Sequence, residues 1–308
     1  MSRPIPIRMG GYGPATTSFS RGLKLIGDRL TAAFGDEVDV KYVWNIMDLG
    51  YRAEDILWLV EHGLLTLGYQ SSSYLTARVP ELGIADLPFL FASTQAARAA
   101  MDGALGGALA GAIEARTGFR ILGWFENGFR QISNRLRPVR RPADLAGMRI
   151  RVLPSKVQAR TFELLGAVPM PMDLTEAIAM IKAGQIDAQE NPLSNTVTYG
   201  VHRFHRFHSL TNHFYISRPV FIHRAAFDAW PGDVQAAMRS AVAKAIAFQR
   251  DLHVREEEDA HAAIASEGCE IADLAPQQHA EFAACVAPLR DEVARTFGEK
   301  LLGLAAVG

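Results

Sequence analysis

The sequence predicts an α/β protein arranged as two lobes. Strand-like and helix-like segments alternate through the first 125 residues, a second alternation runs from Met148 to Pro192, and 308 residues exceed the usual size of one compact core. With 49% hydrophobic and 21% charged residues and a formal net charge of −1, the chain has an ordinary globular profile. Nucleic-acid binders carry a clustered basic excess, so no nucleic-acid partner is expected.

In chain order, Ile5 to Met9 reads as a strand that breaks at Gly10-Gly11-Tyr12-Gly13-Pro14, and Thr16-Thr17-Ser18 offers helix N-caps. Phe19, Leu23, Ile26, Leu30 and Phe34 recur on one helical face. Val38 to Trp44 alternates as a strand, Ala53 to His62 reads as a helix and Leu64 to Gly68 as a strand. A loop at Gln70 to Ser73 leads to Ile84-Ala-Asp-Leu-Pro-Phe-Leu-Phe. Ala96 to Ala115 then reads as one helix and Arg120 to Phe125 as a strand. Ligands of open α/β sheets gather at the carboxyl ends of strands, which directs attention to the loops after Met9, Gly68 and Phe125.

The second lobe begins after Phe125. Met148 to Val152, Val168 to Met172 and Ile186 to Glu190 are strand patterns separated by helices over Ser155 to Leu165 and from Asp173 to Ala183-Gly184. Pro192 stops the last strand. Phe207 to Asn212 and Tyr215 to His223 are strand-like and carry the chain back. Gly232 to Ser266 is a helical stretch of about 50 Å, long enough to brace both lobes. The expected division is 1–125 plus about 213–250 for lobe I, and 126–212 plus about 251–308 for lobe II.

The stretch from Gly147 to Pro192 carries the chemistry. Arg151 lies inside an apolar strand that ends at Leu153-Pro154. An exposed edge-strand arginine is the plain reading. At a strand tip facing a cleft, however, its planar fork would give a carboxylate two parallel charge-assisted hydrogen bonds at any working pH. Asn191 can donate and accept at the end of its strand, or serve only as a turn residue before Pro192. Arg130 and Arg135 sit in a polar strand and read equally well as surface charges. The run His202-Arg203-Phe204-His205-Arg206-Phe207-His208 is no metal site, because interleaved arginines repel a cation and no carboxylate or cysteine is spaced to complete one. Gly10-Gly11-Tyr12-Gly13 does not fit a dinucleotide fingerprint, and no Walker sequence or Gly-x-Ser-x-Gly elbow occurs. No cofactor, metal or catalytic residue is therefore expected. The Glu256 to Asp259 run reads as a solvated helix face. Cys269 and Cys285 read as two buried free thiols, or as a disulfide in an oxidising compartment. The longest apolar run, near Ala104 to Ile113, is far short of the roughly 20 residues of a membrane span. The N-terminus enters a strand without the regions of a signal peptide, so the protein is either intracellular or lacks a leader removed earlier.

Taken together, several segments resemble the substrate-binding proteins of tripartite ATP-independent periplasmic (TRAP) transporters, of DctP type. They are Leu87-Pro-Phe-Leu-Phe, Trp124-Phe-Glu-Asn-Gly-Phe-Arg130, Ser133-Asn-Arg135, Asp144-Leu-Ala-Gly-Met-Arg-Ile-Arg-Val152, Thr161-Phe-Glu-Leu-Leu-Gly166, Pro169-Met-Pro-Met172, Gly184-Gln-Ile-Asp-Ala-Gln-Glu-Asn-Pro-Leu193 and Leu210-Thr-Asn-His213. The resemblance implies a two-lobed periplasmic-binding-protein fold with a ligand cleft between the lobes. It also implies capture of a small organic acid for a TRAP membrane permease, by a periplasmic, monomeric protein whose leader has been removed. By position it makes Arg151 the arginine that pairs with the ligand carboxylate, with Asn191 assisting. Arg130 matches a second ligand arginine and His213 a pocket residue, while Gln70, Ser71, Leu174 and Tyr12 fall where selectivity would be set. The sialic-acid branch carries an acidic residue near Gln70 and an aromatic ring at the Leu174 position, so that ligand is disfavoured. An enzyme acting on a keto or hydroxy acid and a ligand-presenting sensor component are the rival readings.

Overall fold

Strands and helices follow the hydrophobic periodicities closely. The structure is a computed structural model that describes residues 3–307. Its strands in chain order are β1 (Ile5–Gly10), β2 (Val38–Val43), β3 (Leu67–Tyr69), β4 (Phe119–Asn134), β5 (Arg149–Val152), β6 (Val168–Pro171), β7 (Ala188–Asn191), β8 (Phe207–His223) and β9 (Glu270–Asp273). The chain forms two units, one of residues 1–71, 110–126 and 217–255, the other of residues 72–109, 127–216 and 256–308. Among the described residues, no helix is long and apolar enough to cross a membrane.

In the first unit the strand order is β2-β1-β3-β8, with β1 parallel to β2 and β3, and β3 antiparallel to β8. The helix Ser18–Phe34 starts where Thr17 accepts a hydrogen bond from the Ser20 amide, satisfying one of the orphan donors of a helix start. It buries Phe19, Leu23, Ile26 and Leu30. Each such large apolar side chain contributes about 1.5–3 kcal/mol by leaving water.

In the second unit the order is β4-β7-β5-β6, and the first residues of β8 pair with β9 in parallel. β5 is parallel to both β6 and β7, whereas β4 and β7 are antiparallel. Ile132, Ile150, Val152, Phe162, Phe214 and Phe282 centre its core. Ser155 caps the helix Lys156–Leu164 and Asp173 the helix Leu174–Lys182, and Gly184 takes the left-handed φ of +68° that ends the latter.

Residues 72–109 pack with this second unit, although their place in the chain put them in the first lobe by expectation. Polar contacts hold them there. Asp86 accepts from Ser73 Oγ at 2.6 Å and from Gln158 Nε2 at 3.1 Å, Thr76 Oγ1 donates to the Pro154 carbonyl at 3.1 Å, and the Phe89 amide donates to the His213 carbonyl at 2.8 Å. None of these pairings is visible as periodicity.

Other departures have local causes. Ala96 to Ala115 is two helices, Thr94–Asp102 and Ala104–Arg116, because Gly103 leaves helical geometry between them. β3 is confined to Leu67–Tyr69, shorter than the apolar run that predicted it. The two strand-like stretches after Phe207 are one strand of 17 residues. Asn212 interrupts its regularity at φ +46°, held by reciprocal amide hydrogen bonds with Gln131 at 2.6 and 3.0 Å. Cys269 is half-buried and Cys285 exposed, and both are free thiols. The histidine run is used in packing. His205 bonds to Ser133 at 2.9 Å, His208 Nε2 donates to the His205 carbonyl at 3.0 Å, and burial pushes the two rings down to about 3 and about 4.

The helix Gly232–Ser266 has 35 residues and belongs to both units in turn. Gln249 fixes its first part, accepting from the Glu126 amide and donating to the Glu126 carbonyl, each at 2.9 Å. Glu257 fixes its second part by accepting from the amides of Leu193 and Ser194 at 3.2 and 2.9 Å. That carboxylate is therefore engaged at the start of the helix Leu193–Thr198 and does not belong to a purely solvated face.

Burial pushes the Asp86 carboxyl up to about 6 against the hydrogen bonds from Ser155, Ser73 and Gln158 that favour its ionised form. A raised folded-state value means the contribution is full below the unfolded value near 3.8 and is lost as pH rises through about 6. Asp86→Asn should therefore gain on the native protein by about 2 kcal/mol between pH 4 and pH 7.5. Urea unfolding at the two pH values checks this, and a pH-independent difference would contradict it.

Candidate functional site

In the second unit, the parallel register sets Arg151 opposite Gln189, and the antiparallel register sets Asn191 opposite Gln131. Side chains alternate between the two faces of a strand, so Arg151, Gln189 and Asn191 share one face at the carboxyl ends of β5 and β7. Glu190 points to the other face, and Arg130 goes with it.

Arg151 is 1% exposed. Its Nε and Nη2 donate to the Met172 carbonyl at 3.3 and 3.0 Å, and Nη2 also donates to the Tyr74 hydroxyl at 3.1 Å. That hydroxyl accepts a second bond from the Leu174 amide at 3.0 Å, which ties Arg151 to the start of the helix Leu174–Lys182. Among the described residues no carboxylate pairs with Arg151, and its Nη1 makes no hydrogen bond. A buried guanidinium without a counter-ion costs several kcal/mol, so the second unit holds a preformed, unneutralised positive charge.

Beside it lies a group of amides. Asn195 Nδ2 donates to Asn191 Oδ1 and to Asn127 Oδ1, both at 3.1 Å. The Asn127 Nδ2 donor is buried and unmatched, and Asn191 Nδ2 likewise makes no hydrogen bond among the described residues. The arrangement is a fixed cation on β5 with spare amide donors at the end of β7 and within β4, complementary to an oxyanion.

Arg130 is differently placed. Its Nε and Nη2 form a two-point ion pair with the Glu190 carboxylate, and Nη2 also donates to the Glu190 carbonyl at 2.7 Å. Burial alone would raise the Glu190 carboxyl, but the Arg130 charge beside it holds it below the usual carboxylate range. His213 is fully enclosed, with its ring edge-on to Phe162 and its Nδ1 bonded to Thr211 Oγ1 at 2.6 Å. Its Nε2 stands 3.8 Å from Glu190, beyond a hydrogen bond, and burial depresses its proton affinity so that the ring is neutral at pH 7. Arg130, Glu190 and His213 thus form one buried cluster on the face away from Arg151 and Asn191. Arg135 pairs with Asp187 at 2.7 Å.

In the first unit, Gln70 is committed to the backbone. Its Nε2 donates to the Ala53 carbonyl at 2.7 Å and its Oε1 accepts from the Ser71 amide at 2.9 Å. Ser71 is buried and its hydroxyl makes no hydrogen bond among the described residues. The Tyr12 ring lies 5.3 Å from the Tyr69 ring, and the approach depends on Gly11, where a Cβ would sit 2.8 Å from Tyr69 Oη and 2.9 Å from the Trp44 carbonyl oxygen. Leu174 is buried in the second unit, where its amide bonds Tyr74. Sequence reasoning missed Tyr74, Asn127 and Asn195. A tyrosine in a polar loop and asparagines outside any motif give no signal until the fold brings them together.

The sequence pattern of DctP, described as bacterial extracellular solute-binding protein, family 7, matches residues 24–296. The chain is 31% identical over 252 residues to the 2,3-diketo-L-gulonate-binding periplasmic protein YiaO of Escherichia coli, covering 82% of this chain and 76% of that protein. Its fold is similar to the sugar acid binding protein DctPAm of Advenella mimigardefordensis in complex with galactonate, with TM-score 0.93, 25% identity and 99% of each chain covered. It is also similar to a TRAP periplasmic solute binding protein of Sulfurospirillum deleyianum with bound succinate, with TM-score 0.92, 25% identity and coverage of 100% of this chain and 99% of that one.

The two buried arginines should respond differently to truncation. Arg130→Ala strands the buried Glu190 carboxylate and should cost about 3–5 kcal/mol, whereas Arg151→Ala removes a charge that no carboxylate neutralises and should cost under about 2 kcal/mol. Chemical denaturation of both variants without added ligand checks the order, and equal losses would contradict it.

Proposed function

The chain belongs to the DctP family of bacterial extracellular solute-binding proteins, and from that premise we propose that it captures a small organic acid through Arg151 and Asn191. The observation that carries the reading is Arg151, 1% exposed, fixed by Tyr74 and the Met172 carbonyl, and without a carboxylate partner among the described residues. Only an anion from outside the protein completes it. Asn191 Nδ2 and Asn127 Nδ2 supply further donors for the bound carboxylate and its neighbouring oxygens.

The chain serves a TRAP transporter as its solute-binding component. We place it in the periplasm as a monomer that hands the acid to the membrane permease. Its family is one of transport proteins, and we infer that the acid leaves unaltered. The bound acid favours the permease-competent conformation only by its differential affinity for that form. Relatives bind 2,3-diketo-L-gulonate, galactonate and succinate by their names, all carboxylates, which supports an acid as the solute here. Selectivity among acids falls to Leu174 in the second unit and to Tyr12 and Ser71 in the first. Arg130 and His213 act through the cluster they form with Glu190, and Gln70 through the turn it holds.

A thermal-shift panel of dicarboxylates, hydroxy acids, keto acids and sugar acids tests the reading. An acid at 100 times its dissociation constant should add about 2.7 kcal/mol of stability, read as a shift of several degrees. Arg151→Ala should abolish the shift while leaving the fold intact. Arg151→Lys should lose most of it, because an ammonium cannot reproduce the two-point fork. Normal binding by Arg151→Ala would overturn the assignment. The acid should be recovered unchanged by NMR after prolonged incubation with the protein, and formation of product would overturn the transport reading in favour of an enzyme.

A further inference from the structure

We propose that Arg218 is a second anion-binding residue, seated in the first unit, where it takes a carboxylate or another oxyanion. The inference stands on the first unit alone and goes beyond the organic-acid reading. Arg218 lies on β8 two residues before Val220, which is paired with Tyr69 of β3. Alternation along the strand therefore puts Arg218 on the same face as Tyr69. Its guanidinium carbon lies 4.1 Å from the centroid of the Phe19 ring, 5.1 Å from Tyr12 and 5.8 Å from Tyr69. The three rings are themselves in contact, with Phe19 stacked on Tyr69 at 5.1 Å and Tyr12 at 5.3 Å from Tyr69.

Arg218 is 3% exposed. No carboxylate of the described residues lies within ion-pair distance of it, and its buried Nε has no hydrogen-bond partner. The arginines at positions 8, 120 and 130 each have a carboxylate partner. Aromatic faces attract a cation, but they do not replace the lone pairs that five N–H donors require. The cage therefore lowers the cost of burying the charge and leaves the Nε donor unmet. An oxyanion supplies what is missing, both the opposite charge and the paired acceptors of a planar fork. Gly11 belongs to this site, since a side chain there would collide with the Tyr69 hydroxyl and push apart the wall that holds Arg218.

Titration calorimetry of the full chain with succinate, butyrate and inorganic phosphate tests the inference, using the native protein, Arg218→Met, Arg218→Gln and Arg151→Ala. Arg218→Met keeps apolar volume among the rings and removes a buried charge, so without anion it should melt no lower than the native protein. Both Arg218 variants should weaken phosphate binding at least tenfold. Phosphate should bind the native protein and Arg151→Ala alike. Native-like affinity of a folded Arg218→Met for all three probes would overturn the proposal. Loss of succinate and butyrate in Arg151→Ala with native binding in both Arg218 variants would overturn it while leaving the role of Arg151 intact. Arg218-dependent phosphate binding, with acid binding untouched by Arg151→Ala, would do the reverse.

Discussion

A guanidinium buried without a counter-ion is the constraint around which the second unit is arranged. With no carboxylate beside it among the described residues, the Arg151 guanidinium must be held by other means. It is held by one backbone carbonyl, that of Met172, and one hydroxyl, that of Tyr74. Both are neutral acceptors, which orient the side chain without cancelling its charge. The Tyr74 hydroxyl also receives the Leu174 amide, so the loop after residue 71 and the helix Leu174–Lys182 meet at the arginine. That is one physical reason why residues 72–109 pack with this unit.

Other buried charges in the same unit are treated in the opposite way. Arg130 and Glu190 neutralise each other through a two-point pair, and His213 beside them stays neutral because burial opposes its protonation. Asp86 is deep enough for burial to push its carboxyl up to about 6, so at moderately acidic pH it sits protonated among its donors. The contrast gives Arg151 its meaning. One arginine of the second unit is paired with a carboxylate, while the other is held by neutral acceptors alone among the described residues. Arg218 in the first unit meets the same condition by a different route, with aromatic rings in place of polar acceptors.

Strand ends and long elements set where these groups stand. β5 stops at Val152 before Leu153-Pro154 and β7 at Asn191 before Pro192, which leaves both polar side chains at adjacent strand termini. The helix Gly232–Ser266 is fastened separately in each unit, through Gln249 to the Glu126 backbone and through Glu257 to the amides that begin the helix Leu193–Thr198. Glu257 thus helps position the segment that carries Asn195, the partner of Asn191.

By itself the sequence determined the α/β class, the order of most strands and helices, the long C-terminal helix, and Arg151 and Asn191 as the residues to watch. All of these are written in local patterns: period-2 and period-3.6 hydrophobicity, caps, breakers, and a charge inside an apolar strand. The tertiary structure decided what no local pattern encodes. It brought Tyr74 to Arg151 across 77 residues and Asn127 to Asn195 across 68. It placed Arg130 with Glu190 on the far face from Arg151, and it put residues 72–109 in the second unit. It also surrounded Arg218, an unremarked residue of a strand-like run, with three rings from separate segments. The reason is the same in each case. Whether a buried charge is neutralised depends on partners distant in the chain, and only the folded arrangement shows which arginine has a carboxylate and which has none among the described residues.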